Sequence, residues 1–568
     1  MKIISFYKYL LNKSEKIKIL YIGLLMLINT LLELLSVGLI MPVMSVLMKD
    51  ETDFLPNSIY EIIKNFDYLD LVKLSLFVII TIYLIKNLFI IFYNYTQGIF
   101  IRDLQTRVAS DLFKRYIFKN YSFFLQKKTG FILRNLDTSR LASYCLLSYM
   151  TVALEILITL FFLFYIFYLE FIIASIISSI FIVFGYTLYL LTKKNLYQWG
   201  EDRQNYDAKV NQQIIQSFSL IKNIKIFGKE KKMHSFFKSL LFNFQNLDFK
   251  IGIVQQLPRA LVELLGVFSI SILILVLSIN GKNSGEIIAL MAVFVAIAIR
   301  LMPSSTRIIA ASQRIRTFVP AINLMREEFF TDEKEEINYF EKKIEPIKFN
   351  NLKLVDMNFT YDSNEEAILS GINLEVTKGE IIGIIGESGS GKSTLVNLIS
   401  GLLKPTTGKI NINGENLENL KRNWTSALGY VSQQTTLFND TISNNISFFE
   451  DDIQNKKINE TLKKVNLLGF IKSLPDQENT IVGENAASLS GGQAQRIGIA
   501  RALFNNPEFL IFDESTNSLD SLNEKEVMKF IYSLKGIKTI LIISHDIKIL
   551  KNCDKIFEIK DKKITQKK

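Results

Sequence analysis

Six long apolar stretches punctuate the first 308 residues, near 19–48, 71–101, 141–169, 171–192, 260–281 and 286–308. Each is long enough to cross a hydrocarbon layer of ~30 Å at 1.5 Å per residue. A backbone entering lipid must satisfy its own polar groups, so each stretch is expected to be a helix. The third and fourth are parted only by Leu169-Glu170, which predicts a tight hairpin. The apolar excess behind a mean hydropathy of +0.23 lies before residue 315; from 347 onward the chain reads as an ordinary charged globular domain.

Loop charge orients the helices. The segment 102–137 carries Arg102, Arg107, Lys114, Arg115, Lys119, Lys127, Lys128 and Arg134; the segment 193–250 carries Lys193, Lys194, Lys209, Lys222, Lys225 and Lys229-Glu230-Lys231-Lys232. The 49–70 loop is acidic, with Asp50, Glu51, Asp53, Glu61, Asp67 and Asp70. Both basic segments and both termini are therefore expected on the cytoplasmic side. This placement accounts for the net charge of +11, and no nucleic-acid-binding module accompanies it, so nucleic acid is not an expected partner. Helical periodicity at Leu112-Phe113, Tyr116-Ile117, Tyr121 and Phe124 predicts that the membrane helices run on into the cytoplasm, with short turns near 118–127 and 217–228 resting on the second domain. Ile59, Ile62, Ile63 and Phe66 have the spacing of a short amphipathic helix on the external membrane surface, a partly ordered loop being the alternative. The charged stretch 331–346 reads as a linker between a membrane domain over 1–330 and a second domain over 347–568.

In the second domain, Ile381-Ile-Gly-Ile-Ile385 is a buried-strand pattern followed at once by Gly386-Glu387-Ser388-Gly389-Ser390-Gly391-Lys392-Ser393-Thr394. GxxxxGKS between a strand and a helix is a phosphate-binding loop: glycines let backbone N–H groups reach phosphate, Lys392 meets the β/γ-phosphates and the Ser393 hydroxyl ligates Mg²⁺. Phe509-Leu-Ile-Phe-Asp513-Glu514 is an apolar strand ending in two carboxylates. Asp513 is expected to position Mg²⁺, and Glu514 to act as the general base on the attacking water. The expected architecture is an α-helical membrane domain of six transmembrane helices plus an α/β P-loop nucleotide-binding domain, using ATP and Mg²⁺.

Leu489-Ser490-Gly491-Gly492-Gln493, opening a helix that continues Ala494-Gln-Arg-Ile, resembles the signature motif of ABC transporters. The resemblance implies that Ser490 and Gly492 cap a γ-phosphate bound by a second copy, hence a homodimer with two shared ATP sites. It also implies that Tyr361 stacks on adenine, that Gln433 senses Mg²⁺ and water, that Ser518-Leu-Asp520 is the D-loop, and that His545 contacts the γ-phosphate. Ser432 stands where the family usually has proline, Asn485 where exporters often have arginine, and Asp546 where arginine commonly follows the histidine; Asn517 lies in the D-loop approach. None of these departures removes a catalytic group. The other histidine, His234, reads as a solvated surface residue, and Cys145 with Cys553 offers neither a disulfide framework nor a zinc site. The first apolar run is too long for a cleavable signal and lacks a small-residue cleavage site, so it is expected to stay in the membrane.

Charges inside membrane helices usually mark a pathway. Counted from the external ends at 1.5 Å per residue, Lys86 and Arg300 lie ~22 Å deep and Arg259 and Arg307 ~32 Å deep. These cations suit an anionic headgroup arriving from the inner leaflet; the competing expectation pairs them with Glu33, Glu155 or Glu263. Glu33 with Leu39-Ile-Met-Pro42, Leu257-Pro-Arg259 and Arg300-Leu-Met-Pro-Ser-Ser-Thr-Arg307-Ile308 are similar to bacterial lipid-linked oligosaccharide flippases, ABC exporters of the type IV class. That resemblance implies a bacterial cytoplasmic membrane and a polyprenyl-pyrophosphate-linked glycan as cargo, its pyrophosphate met by Lys86, Arg259, Arg300 and Arg307. Lipid A-type lipids, peptides and drugs are the alternative cargoes.

Overall fold

The computed structural model describes residues 2–39, 68–169, 171–279, 284–330, 347–361, 366–450, 454–483, 489–515 and 521–568. The expected linker 331–346, the external helix at Ile59–Phe66, Asn485 and Ser518-Leu-Asp520 lie outside these residues. The chain divides into two compact units, one of residues 1–119 and 126–333, the other of 120–125 and 334–568.

The first unit is helical: α1 (Lys2–Leu10), α2 (Lys13–Gly38), α3 (Tyr68–Ile117), α4 (Tyr121–Gln126, largely in the second unit), α5 (Thr129–Leu169), α6 (Phe171–Ser219), α7 (Ile221–Ile226), α8 (Glu230–Ile279) and α9 (Ser284–Phe330). Among the described residues five helices are long and apolar enough to cross a membrane, and the sixth apolar stretch forms the first part of α9. The α5–α6 boundary falls where the Leu169-Glu170 corner predicts it. A 50-residue helix such as α3 is ~75 Å long, so it must run far beyond a ~30 Å hydrocarbon layer. Its two parts differ accordingly. Phe77, Ile80, Leu84, Leu88 and Ile91 are exposed, as suits a lipid-facing surface, whereas Phe100, Leu104, Val108, Leu112 and Tyr116 form a buried stripe at helical spacing.

Close helix approach needs missing side chains. A Cβ on Gly200 of α6 would stand 2.4 Å from the Thr317 carbonyl oxygen of α9, so only glycine allows this contact. Pro258 sits inside α8 and Pro303 and Pro320 inside α9, each leaving an i−4 carbonyl without its helical donor.

The second unit has an antiparallel sheet in the order β2-β1-β4-β5, from β1 (Asn351–Phe359), β2 (Leu369–Thr377), β4 (Thr407–Ile412) and β5 (Glu415–Asn416). A six-stranded sheet combines β3 (Ile381–Gly386), β6 (Leu428–Val431), β9 (Phe509–Asp513), β10 (Thr539–Ile543), β11 (Lys555–Lys560) and β12 (Lys563–Gln566) in the order β12-β11-β3-β10-β9-β6. β7 (Asp440–Thr441) and β8 (Ile481–Val482) form a small pair. Period-two alternation splits the central strands between two cores: Ile381, Leu510, Phe512, Ile540 and Ile542 enter one, and Ile382, Ile384, Ile511, Leu541 and Ile543 the other. Lys421 Nζ donates to Asn120 Oδ1 at 3.1 Å within this unit, tying in the 120–125 segment. The other short helix, α7, has Ile221, Ile226 and the following Phe227 exposed.

Candidate functional site

Parallel pairing gathers the chemistry of the second unit. β10 lies between β3 and β9, with Ile543 level with both Ile384 and Asp513, and β6 flanks β9 with Val431 level with Phe512. The phosphate loop two residues beyond Ile384, Glu514 one beyond Asp513, His545 two beyond Ile543 and Gln433 two beyond Val431 therefore emerge at one sheet edge, the carboxyl ends of the strands. Ligands of open α/β sheets bind at such an edge. Two hydrogen bonds prolong the ladder there, Glu514 N to Ile543 O at 3.0 Å and Ser544 N to Ile384 O at 3.1 Å.

The loop 387–391 leads into α10 (Lys392–Ile399). Gly391, the residue before the helix, has φ +102°, a conformation that a side chain would strain. Glu387, Ser388 and Gly389 are exposed, as is Ser393, whereas Lys392 and Thr394 are buried. Lys392 Nζ donates to the Gly386 and Glu387 carbonyls at 2.8 and 2.9 Å and lies 3.7 Å from Glu514 Oε1. Gln433 Nε2 donates to Glu514 Oε2 at 3.0 Å. Glu514 itself has φ +47°, an uncommon backbone state for a residue other than glycine. The Ser390 hydroxyl oxygen is buried and has no hydrogen-bond partner among the described residues, so the loop holds an unsatisfied polar atom there. A nest with such an orphan, a lysine held on its rim and two carboxylates beside it fits a nucleotide phosphate and Mg²⁺.

Asp513 is 9% exposed, and burial pushes its carboxyl above the usual range; a hydrogen bond from Tyr430 Oη, 3.2 Å away, opposes this, and the charge of Glu514 adds to it. Burial, then the charge of Asp513, holds the Tyr430 phenol above its ordinary pKa, so it remains a donor. Tyr430 is the member of this cluster that sequence reasoning missed. Its only signal is a place three residues before Gln433, and its meaning depends on β6 pairing with β9.

Tyr361 is 42% exposed, packs edge-on against Phe359 and shares a hydrogen bond of 3.1 Å with Thr394 Oγ1. Ser490 caps the helix Gly491–Phe504: its Oγ accepts from Gln493 N at 3.2 Å, and Gln493 Oε1 accepts from Ser490 N at 2.8 Å. Among the described residues, nothing lies within 4 Å of where a Cβ on Gly491 would stand. His545 is exposed.

In the first unit, Lys86 and Arg307 have acidic partners among the described residues. Lys86 is 8% exposed, with Nζ 3.0 Å from Glu33 Oε2 and 3.4 Å from Ser36 Oγ. Arg307 Nε lies 2.5 Å from Glu155 Oε1, while the other oxygen of Glu155 is buried with no partner among the described residues. Arg259 is exposed and, among the described residues, forms no ion pair with Glu263. The Arg300 side chain lies outside what the structure describes.

Residues 369–517 match the ABC transporter family and residues 20–302 the ABC transporter transmembrane region. The ATP-dependent lipid A-core flippase of Chromobacterium violaceum is 29% identical over 358 residues, 63% of this chain and 61% of that protein. A probable ABC transporter ATP-binding/permease protein of Haemophilus influenzae is 31% identical over 390 residues, 67% of this chain and 68% of the relative. The fold matches that of a bacterial Atm1-family ABC exporter with ATP bound, at TM-score 0.77 and 20% identity over 97% of this chain and 95% of the other. The match therefore spans about three fifths of the first relative's length and slightly more of the second. Coverage of both halves at this level has one consequence: the chain belongs to the ABC transporters, with an ABC transporter transmembrane region followed by the ABC transporter domain.

Proposed function

We propose that the chain is one half of a homodimeric ATP-driven exporter that flips an anionic lipid-linked glycan from the inner to the outer leaflet of a bacterial cytoplasmic membrane. The membrane domain is 1–330 and the ATPase domain 347–568, joined by 331–346. The observation that carries this reading is the convergence of Lys392, Gln433, Asp513 and Glu514 on a polypeptide that also bears membrane-length helices. Ser393, Gln433 and Asp513 would hold Mg²⁺, which would neutralise charge on the phosphates. Lys392 exchanges its loop carbonyls for phosphate oxygens, Glu514 takes the proton of a water oriented by Gln433, and His545 contacts the γ-phosphate. Tyr361 stacks on adenine, and the Ser490–Gln493 turn of the second copy closes over the nucleotide through its helix N-terminus.

For cargo, Arg259 has no carboxylate partner among the described residues, and Arg307 and Lys86 are cations whose carboxylates a pyrophosphate would rival; Arg300 completes the set. A polyprenyl-pyrophosphate glycan meets these requirements. A lipid A-type cargo meets them equally, and similarity to proteins named lipid A-core flippases supports it. The test is reconstitution in vesicles with glycolipids of defined headgroup. ATP-dependent translocation of the pyrophosphate glycan is expected, with Arg259, Arg300 and Arg307 together replaced by Ala lowering flipping about tenfold or more while ATP hydrolysis falls less. Equal flipping by that variant overturns the cargo assignment.

A further inference from the structure

The membrane unit encloses a cavity of about 450 Å³ between α5, α6, α8 and α9, with Phe181, Ile270 and Met302 in its apolar wall. Ile182 and Tyr186 also line it and are 67% and 62% exposed on the single chain, so it opens between them onto the outer surface of the helices. At its other end Gly185, Ile308 and Ile309 are shared with a pocket of about 150 Å³ that holds Lys193, Gln313 and Arg316. The two spaces are therefore consecutive. Counted from the α5–α6 corner, Ser178 lies ~12 Å, Gly185 ~22 Å and Lys193 ~34 Å along α6. The apolar cavity is at hydrocarbon depth, and the polar pocket is at the cytoplasmic headgroup level.

The protein leaves both walls unfinished. Ser175, Ser179 and Ser269 satisfy their hydroxyls on carbonyls four residues earlier, but among the described residues Thr159 Oγ1 and Ser178 Oγ in the cavity wall are buried without partners. Gln313 Oε1 in the smaller pocket is also buried with no donor among the described residues. Arg316 donates to Tyr189 Oη and lies over its ring at 5.0 Å, and Lys193 lies over the same ring at 5.8 Å. Among the described residues neither cation has a carboxylate partner. Two uncompensated cations and an unfilled acceptor at headgroup depth, continuous with an apolar cavity, match a lipid bearing a phosphate.

We propose that this composite cavity is a binding site for a phosphate-bearing lipid of the cytoplasmic leaflet. The phosphate sits between Lys193 and Arg316, a headgroup N–H or O–H meets Gln313, and one hydrocarbon chain passes Gly185 into the apolar cavity. The site lies within a single membrane unit and uses none of the four cations Lys86, Arg259, Arg300 and Arg307. Its occupant is either a resident phospholipid or the transported lipid, which share this chemistry.

The test uses the full-length protein in nanodiscs with phosphatidylglycerol carrying a mid-chain diazirine, and peptide mapping after illumination. Saturable labelling of 159–166 and 178–186 is expected, displaced by unlabelled phosphatidylglycerol but not by diacylglycerol. A Cβ on Gly185 meets nothing within 4 Å, so Gly185→Ala should keep the labelling and Gly185→Phe should block it. Lys193→Gln with Arg316→Gln should cut labelling about tenfold yet leave a diazirine diacylglycerol probe unaffected. Unsaturable labelling, or labelling indifferent to the charge variant, overturns the proposal, and the charge variant decides alone should Gly185→Phe fail to fold. Labelling that persists during ATP turnover identifies a resident lipid, and labelling lost during turnover and displaced by a polyprenyl-pyrophosphate glycan identifies the transported one.

Discussion

At the scale of the residue, Glu514 carries the heaviest constraint. A non-glycine residue held in the left-handed region costs on the order of 1–3 kcal/mol, and here that state aims the carboxylate at Gln433 and Lys392. Glutamine has the same shape and cannot take a proton from water. Glu514→Gln should therefore lower phosphate release by a factor of about 10²–10⁴ while ATP binding, followed by nucleotide fluorescence, stays intact; unchanged turnover removes Glu514 as the base. Asp513 supplies a second prediction. Its folded carboxyl keeps a proton to higher pH than an unfolded one, so its contribution to stability is largest at low pH and falls as pH rises above the ordinary value of 3.8 through the raised one. Metal binding needs the carboxylate and so runs the opposite way, weakening on acidification. Tyr430→Phe deletes the hydrogen bond that holds the pKa down, so the loss of Mg-ATP affinity should begin at higher pH than in the parent protein, read by Mg-ATP titrations across a pH series; superimposable profiles refute the coupling. The phosphate loop and the two carboxylates were legible from spacing alone. Tyr430 was not, because strand adjacency is decided by tertiary burial rather than by neighbours in the chain.

Among the elements, the helices were the more readable half. Their extension past the bilayer was visible in the Leu112–Tyr116 periodicity, since a buried stripe persists where lipid no longer solvates the rest of the surface. The order β12-β11-β3-β10-β9-β6 was not readable, because each central strand is apolar on both faces and accepts several neighbours. Helix packing gives a test within a single element. Alanine gains up to ~1 kcal/mol over glycine in a helix, yet at Gly200 its methyl would meet a backbone carbonyl that no rotamer can move away. Overpacking of that kind costs about 1–3 kcal/mol, so the clash outweighs the propensity. Gly200→Ala should lower the thermal midpoint in detergent, whereas Gly185→Ala, on the same helix with open space, should hold or raise it. Equal midpoints for the two variants would show that α6 and α9 do not approach this closely.

For the whole molecule, the decisive question is whether one chain completes its own ATP site. Within the chain, Lys392, Gln433, Asp513 and Glu514 gather at one sheet edge, while Ser490 and Gln493 satisfy each other. A capped helix N-terminus suits an anion, and under the proposed homodimer that anion is the nucleotide of the other copy. Cargo is the least legible property at this scale, because Lys86 and Arg307 serve ion pairs as readily as a headgroup. Composite sites, in contrast, make a countable prediction. Lys392→Ala ruins the phosphate loop and spares the signature turn; Ser490→Arg does the reverse, placing a bulky cation at the turn. Each homodimer then has two broken sites. A mixed dimer has one site broken twice and one wholly intact, so vanadate should trap about one nucleotide per mixed dimer and about none in either parent. Differently tagged copies co-expressed and purified through both tags supply that species. If each chain closed its own site, both sites of the mixed dimer would remain broken, and trapping would stay at the level of the parents.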